Sequence, residues 1–185
     1  MKLTAEKRNA TSKGELARIR RSGDIPAVLY SLNEKNRYLT IKGKEFEGSW
    51  KAVPHGRLST TVFTLETEGQ SIPVIVKEIQ YHPITYKSIH LDFLILEENK
   101  QVTVNIPVRI VGIEECVGIK LGGFLRRMRH HVPVRCLAQS IPKEFVLDIQ
   151  DMKIRSTKKG KDLPLPPGVK LQISPKDVIV GIGKR

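Results

Sequence analysis

Aromatic residues are scarce in this chain, only 5% of it with a single Trp, and cysteine occurs twice. So few rings argue against a stacking platform for single-stranded nucleic acid, which needs several exposed aromatics. Cys116 and Cys136 stand apart in β-like sequence, with no second Cys or His at zinc-ligand spacing. Buried thiols are expected of them, with a disulfide as the alternative. Long apolar runs are missing too. No stretch reaches the ~18 uninterrupted apolar residues of a membrane span, and residues 1–10 lack the apolar heart of a secretory signal. There is no basic amphipathic helix with a wide apolar face and no lipidation signal, so a membrane partner is not expected. Motifs for chemistry are equally sparse: no phosphate-binding P-loop, no dinucleotide fingerprint and no nucleophile elbow. The expectation is a cytoplasmic protein without a cofactor or small-molecule substrate.

Acidic side chains are also in short supply. The 185 residues hold 32 Lys and Arg against 19 Asp and Glu, a formal net charge of +13. A polyanion is the implied partner, and a phosphate backbone fits because each neutralised phosphate releases a condensed counterion. The first 21 residues alone contain seven basic and two acidic side chains.

With 39% hydrophobic residues the chain carries enough apolar material for a core. Its pattern is that of strands, apolar or β-branched positions recurring with period two between Gly, Pro and Asn. The clearest case sets Val102, Val104, Ile106, Val108 and Ile110 on one face. Further strands are expected at 27–30, 38–41, 60–65, 72–79, 88–94, 132–136, 145–149 and 178–182, with Glu68 and Gly69 as a hairpin turn. Helical pattern is limited to two segments. One spans residues 15–21, bounded by Gly14 and Gly23. The other spans 44–51 and spaces Phe46 and Trp50 four apart, as a core-facing pair. The fold class is therefore mainly β with a few short helices. A polar break at Glu97, Glu98, Asn99 and Lys100 divides residues 1–96 from residues 97–185. The segment 155–161, with the prolines after it, reads as an exposed basic loop, and Gly122 with Gly123 as a turn.

Two readings of the site residues compete. His82 and His90 with Lys87 between them supply an acid, a base and a cation, the minimum for a ribonuclease, but such a set arises easily by chance in a basic chain. His130 and His131, like His82 and His90, lack the third and fourth ligands of a metal site. Binding has better material. Arg8, Lys13, Arg18, Arg20 and Arg21 fall on an extended segment and one helical stretch, along one edge. That array suits phosphate tracking, and a solvated charged face would look the same. Tyr30, His82 and His90 add rings that can stack or hydrogen-bond in structured RNA. Asp92 is unusual in so basic a setting: it can orient a neighbouring His or Arg, accept from a base amino group, or form an ordinary sheet ion pair.

Three segments carry a resemblance: RIRRSGDIPAVLY at 18–30, QYHP at 80–83 and HLDF at 90–93. In order and spacing they resemble the bacterial large-subunit ribosomal protein family that binds 5S rRNA, the general stress protein CTC family. VG at 111–112, VGIKLGG at 117–123, VRC at 134–136, IP at 141–142 and Asp148 are similar to the C-terminal domain of its long, two-domain form. The resemblance implies an N-terminal closed β-barrel over residues 1–96, like the anticodon-binding domains of glutaminyl-tRNA synthetase, and a separate C-terminal β-rich domain over 97–185. It further implies a structural, non-catalytic ribosomal protein whose barrel docks on an irregular internal loop of 5S rRNA. The implied partners are 5S rRNA, other RNA of the large subunit and neighbouring ribosomal proteins. By motif, Arg8, Lys13, Arg20, Arg21 and Tyr30 become backbone-facing contacts, and Gln80, His82, His90 and Asp92 groove contacts. A tRNA-binding accessory domain is the alternative. The run RRMRHH at 126–131 is a second candidate basic patch, or a solvated strand or turn.

Overall fold

Strand alternation builds the N-terminal half from six strands and two helices. In chain order these are β1 (Lys2–Lys7), α1 (Lys13–Arg21), β2 (Ile25–Tyr30), β3 (Arg37–Ile41), α2 (Gly43–Ala52), β4 (Val62–Thr67), β5 (Gln70–Tyr81) and β6 (Ser88–Ile95). They come from a computed structural model that describes residues 1–8, 12–31, 35–54, 56–67, 69–97 and 100–184. Glu68 of the expected hairpin turn, and Glu98 and Asn99 of the expected break, lie outside the described residues.

The strands close into a barrel in the order β1-β3-β2-β6-β5-β4. Closure comes from parallel pairing of β1 with β4, Leu3 opposite Leu65. Inward positions fill the interior with Leu3, Ala27, Leu29, Leu39, Ile41, Phe63, Leu65, Leu91 and Phe93, among others. Each large side chain so buried contributes on the order of 1.5–3 kcal/mol against exposure. β1 escaped the sequence reading because charged residues surround it, yet Leu3 and Ala5 alternate into the core.

Two register shifts interrupt the β5–β6 pairing. At the first, Val76 faces Phe93 and Glu78 faces Asp92, so Lys77 is an extra residue on β5. A bulge of this kind re-aims the side chains beyond it. Without it, alternation from Val74 and Val76 would turn Gln80 into the core; with it, Ile79 packs against the core and Glu78 and Gln80 face out. At the second shift Gln80 faces His90 and Tyr81 faces Ser88, leaving Ile89 as the extra residue on β6.

Helix α1 starts at Lys13, because the Ser12 hydroxyl accepts from the Glu15 N–H at 3.4 Å. Gly14 thus lies inside the helix and is not its boundary. Gly23, at φ +89°, takes the left-handed conformation that releases the chain into β2. In α2 the expected core pair is only half realised. Phe46 is fully buried, but Trp50 is 37% exposed, its ring 6.2 Å from that of Tyr81. The start of α2 presses on the end of α1 so closely that a Cβ on Gly43 would sit 2.0 Å from the Gly23 carbonyl oxygen.

The chain divides into two compact units, Met1–Glu97 and Glu98–Arg185. The second is β-rich: β7 (Gln101–Val111), α3 (Val117–Lys120), β8 (Gly123–Arg127), β9 (His131–Leu137), β10 (Phe145–Asp148), β11 (Thr157–Lys159), β12 (Lys170–Leu171) and β13 (Val178–Lys184). A four-stranded sheet runs β10-β7-β9-β12 and a three-stranded one β11-β13-β8. The alternating face of β7 is buried from Val102 to Ile110. Both thiols are buried and free; Cys116, however, precedes α3 rather than lying in a strand, and its thiol donates to the Met152 carbonyl. The segment 155–161 is not a plain exposed loop, since it contains β11 and the buried Gly160. In the run 126–131, Arg126 and Arg127 end β8, Arg129 pairs with Asp177 at 2.9 Å and His131 opens β9. Among the described residues no helix is long and apolar enough to cross a membrane.

Candidate RNA interface

On β6, Leu91 and Phe93 are fully buried in the barrel, so the side chains between and before them, Asp92 and His90, point outward. Parallel pairing sets Val28 of β2 beside Asp92, and Tyr30 lies two residues further on the same side of β2. The Tyr30 hydroxyl donates to Asp92 Oδ2 at 3.2 Å. On its other side, Asp92 Oδ1 lies 2.8 Å from His90 Nδ1, the two side chains only 18% and 19% exposed. These two atoms are buried and neither completes a well-aligned hydrogen bond, so the pair is a close polar contact packed against the sheet. One carboxylate thus holds a phenol and an imidazole in fixed orientation. Burial first, then Asp92, pushes the Tyr30 hydroxyl pKa above its ordinary value, so the phenol stays a donor.

The same outer face continues onto neighbouring strands. Gln80 stands opposite His90 and Glu78 opposite Asp92 on β5, while Tyr38 of β3 stands opposite Val28. Tyr38, Val28, Asp92 and Glu78 therefore form one row across β3, β2, β6 and β5. Arg8 finishes the row at the β3 side: its guanidinium sits 5.3 Å over the Tyr38 ring and its Nε–H donates to the Leu39 carbonyl at 3.1 Å. Burial pushes the Arg8 pKa down, opposed by Glu15 and Tyr38 and aided by Arg20.

Arg20 is fixed by the second bulge. The register shift takes Ile89 out of the ladder, and the Ile89 carbonyl accepts the Arg20 Nε–H at 3.0 Å. Four residues of the sequence reading, Tyr30, Gln80, His90 and Asp92, come together on this face, with Arg8 at its edge and Arg20 tied to β6. Lys13 and Arg18 lie exposed on α1, outside the row of strands, and Arg21 ends that helix.

His82 departs from the expectation. It sits in the β5–β6 connection, where Nδ1 accepts from the N–H groups of Ile84 and Thr85, each at 3.3 Å. Its ring braces a turn rather than joining His90 on the sheet. His82 Nδ1 is committed to its own turn and His90 Nδ1 lies against Asp92, placements suited to fixing geometry. Sequence reading missed Tyr38 and Glu78. The alternation through Leu39 signalled an outward Tyr38; nothing short of the bulge at Lys77 signalled Glu78.

Residues 3–93 match the family model described as the Ribosomal L25p family, and residues 101–185 match that of Ribosomal protein TL5, C-terminal domain. Similar proteins include the large ribosomal subunit protein bL25 of Chlamydia muridarum (strain MoPn / Nigg), 38% identical over 185 residues that cover 100% of both chains. Its counterpart in Chlamydia trachomatis serovar D is 37% identical with the same full coverage, and that of Chlamydia pneumoniae 36%.

Proposed function

Since the chain belongs to the ribosomal L25p family and carries the TL5 C-terminal domain as well, we propose that its N-terminal barrel binds 5S rRNA within the large ribosomal subunit. The protein is a structural, non-catalytic component of the bacterial large subunit, at work on the cytoplasmic ribosome. What the proposal adds is the RNA and the surface that holds it. The observation that carries it is the convergence, on one outer barrel face, of Tyr30, Gln80, His90 and Asp92 with Arg8 at the margin. A carboxylate-oriented donor and acceptor set can read the edges of a widened groove. The arginines and lysines of β1 and α1 supply phosphate contacts around it. The C-terminal unit joins the same subunit assembly, with its RNA and proteins as partners.

The test is equilibrium binding of the full-length chain to 5S rRNA, to a plain RNA duplex of equal length and to tRNA, at matched salt. Preference for 5S rRNA over both competitors is the expected result. Equal affinity for duplex and 5S rRNA would reduce the face to a generic polycation and refute the proposal. Preference for tRNA would replace it with the accessory-domain reading.

A further inference from the structure

Beside the sheet face, and outside its row of strands, a groove of about 420 Å³ opens between the end of α1, the start of α2 and the β5–β6 connection. Four cations line it, Arg20, Arg21, Lys44 and Lys87, against two carboxylates, Asp24 and Glu47. Three devices set these charges in place. Gly43 lets α2 start against the Gly23 carbonyl, at a distance no side chain would allow, which brings Lys44 next to the end of α1. The Arg20 guanidinium is oriented through its Nε–H on the bulged Ile89 carbonyl, so both Nη groups are left to other acceptors. The His82 ring braces the turn, and its backbone N–H donates to the Lys87 carbonyl at 2.8 Å, which anchors the residue carrying the fourth charge. Asp24, for its part, accepts from the Ser22 hydroxyl at 3.2 Å.

Resting on the RNA-binding function of the barrel, we infer that this groove seats a stretch of RNA phosphodiester backbone running off the sheet face, and that Lys44 and Lys87 are phosphate contacts. The chemistry of the lining selects this occupant. A guanidinium held at Nε presents a planar pair of donors to a phosphate, and the flanking ammonium groups act as point charges on its neighbours. An acidic peptide would need an apolar anchor at the centre of its footprint. The aliphatic side chains of the lining are Ile25, which is buried in the barrel, and Ile89, which is half-buried. The groove thus extends the contact from reading a groove edge to tracking the strand beyond it, with Arg20 belonging to both.

The experiment compares the full-length chain with the double variant Lys44→Gln, Lys87→Gln, measuring 5S rRNA affinity across a salt series. Both lysines are exposed, so the substitutions leave the fold intact. Loss of two phosphate contacts should make the slope of log affinity against log salt shallower by roughly 1.4–1.8. Between 50 and 200 mM salt the parent should then lose about tenfold more affinity than the variant. The preference for 5S rRNA over a duplex should not change, because the sheet face is untouched. In the parent complex both lysines should be protected from an amine-modifying reagent. An unchanged slope, with both amines still reactive in the complex, overturns the inference and turns attention to an acidic protein partner. If the parent shows no preference for 5S rRNA but the slope still falls, the groove stands and the 5S reading fails. Absence of any RNA binding overturns both.

Discussion

Deleting the Tyr30 hydroxyl isolates one interaction of the outer face, its 3.2 Å hydrogen bond to Asp92 Oδ2. A hydrogen bond to a charged acceptor contributes on the order of 1.5–3 kcal/mol. This one is long for O–H···O geometry and its acceptor is 18% exposed, so water competes and about 1 kcal/mol is the expected value. Asp92→Asn removes the same acceptor charge and also its contact with His90, so its single effect should be larger, roughly 1–3 kcal/mol. The proper measurement is a double-mutant cycle of Tyr30→Phe and Asp92→Asn by denaturant unfolding. Two compact units spoil an all-or-none analysis of the whole chain. Trp50 solves this, being the only tryptophan and lying in α2, so its fluorescence reports the first unit alone. A coupling energy near 1 kcal/mol is expected. Effects that add to within about 0.3–0.5 kcal/mol would mean the two groups act independently and would refute the account of Asp92 as the shared anchor.

Packing and titration give two further outcomes. Gly43→Ala should destabilise the first unit despite a gain in helix propensity of about 1 kcal/mol, because the new Cβ would meet the Gly23 carbonyl at 2.0 Å and overpacking costs about 1–3 kcal/mol. A rise in the Trp50-reported unfolding midpoint would contradict that contact. The second outcome concerns alkaline pH. Burial raises the pKa of both Tyr30 and Tyr81 in the folded state, so the fold holds these protons more tightly than the unfolded chain does. Their contribution is complete below the unfolded tyrosine value near 10 and is lost as pH climbs through the higher folded values. Unfolding monitored from about pH 9 to 12 should show that decline, and Tyr30→Phe should make it shallower; an identical profile would remove Tyr30 as a contributor.

The sequence by itself determined the β character, the core and the polyanion partner. Period-two alternation survives translation into structure wherever a strand buries one face: Leu91 and Phe93 had to go in, which sent His90 and Asp92 out. The ordered segments around Arg20, Gln80 and His90 were likewise enough to name the family. Local pattern failed where the deciding partner is distant in the chain. Gln80 faces outward only because Lys77 is looped out against β6, and bulges are set by cross-strand register, not by the strand's own residues. The same holds for Arg20 on the Ile89 carbonyl, 69 residues away, and for Gly43 against Gly23, a contact that the antiparallel register of β2 and β3, with Ile25 opposite Ile41, creates. Trp50 was misplaced for a related reason: helical spacing put it on the side of Phe46, but it meets the ring of Tyr81, the last residue of β5, and stays partly exposed. Residue types and their periodicity fix what a segment can bury or bind. Which groups meet is decided by how the strands pair, because hydrogen-bond register brings together residues that the sequence keeps apart.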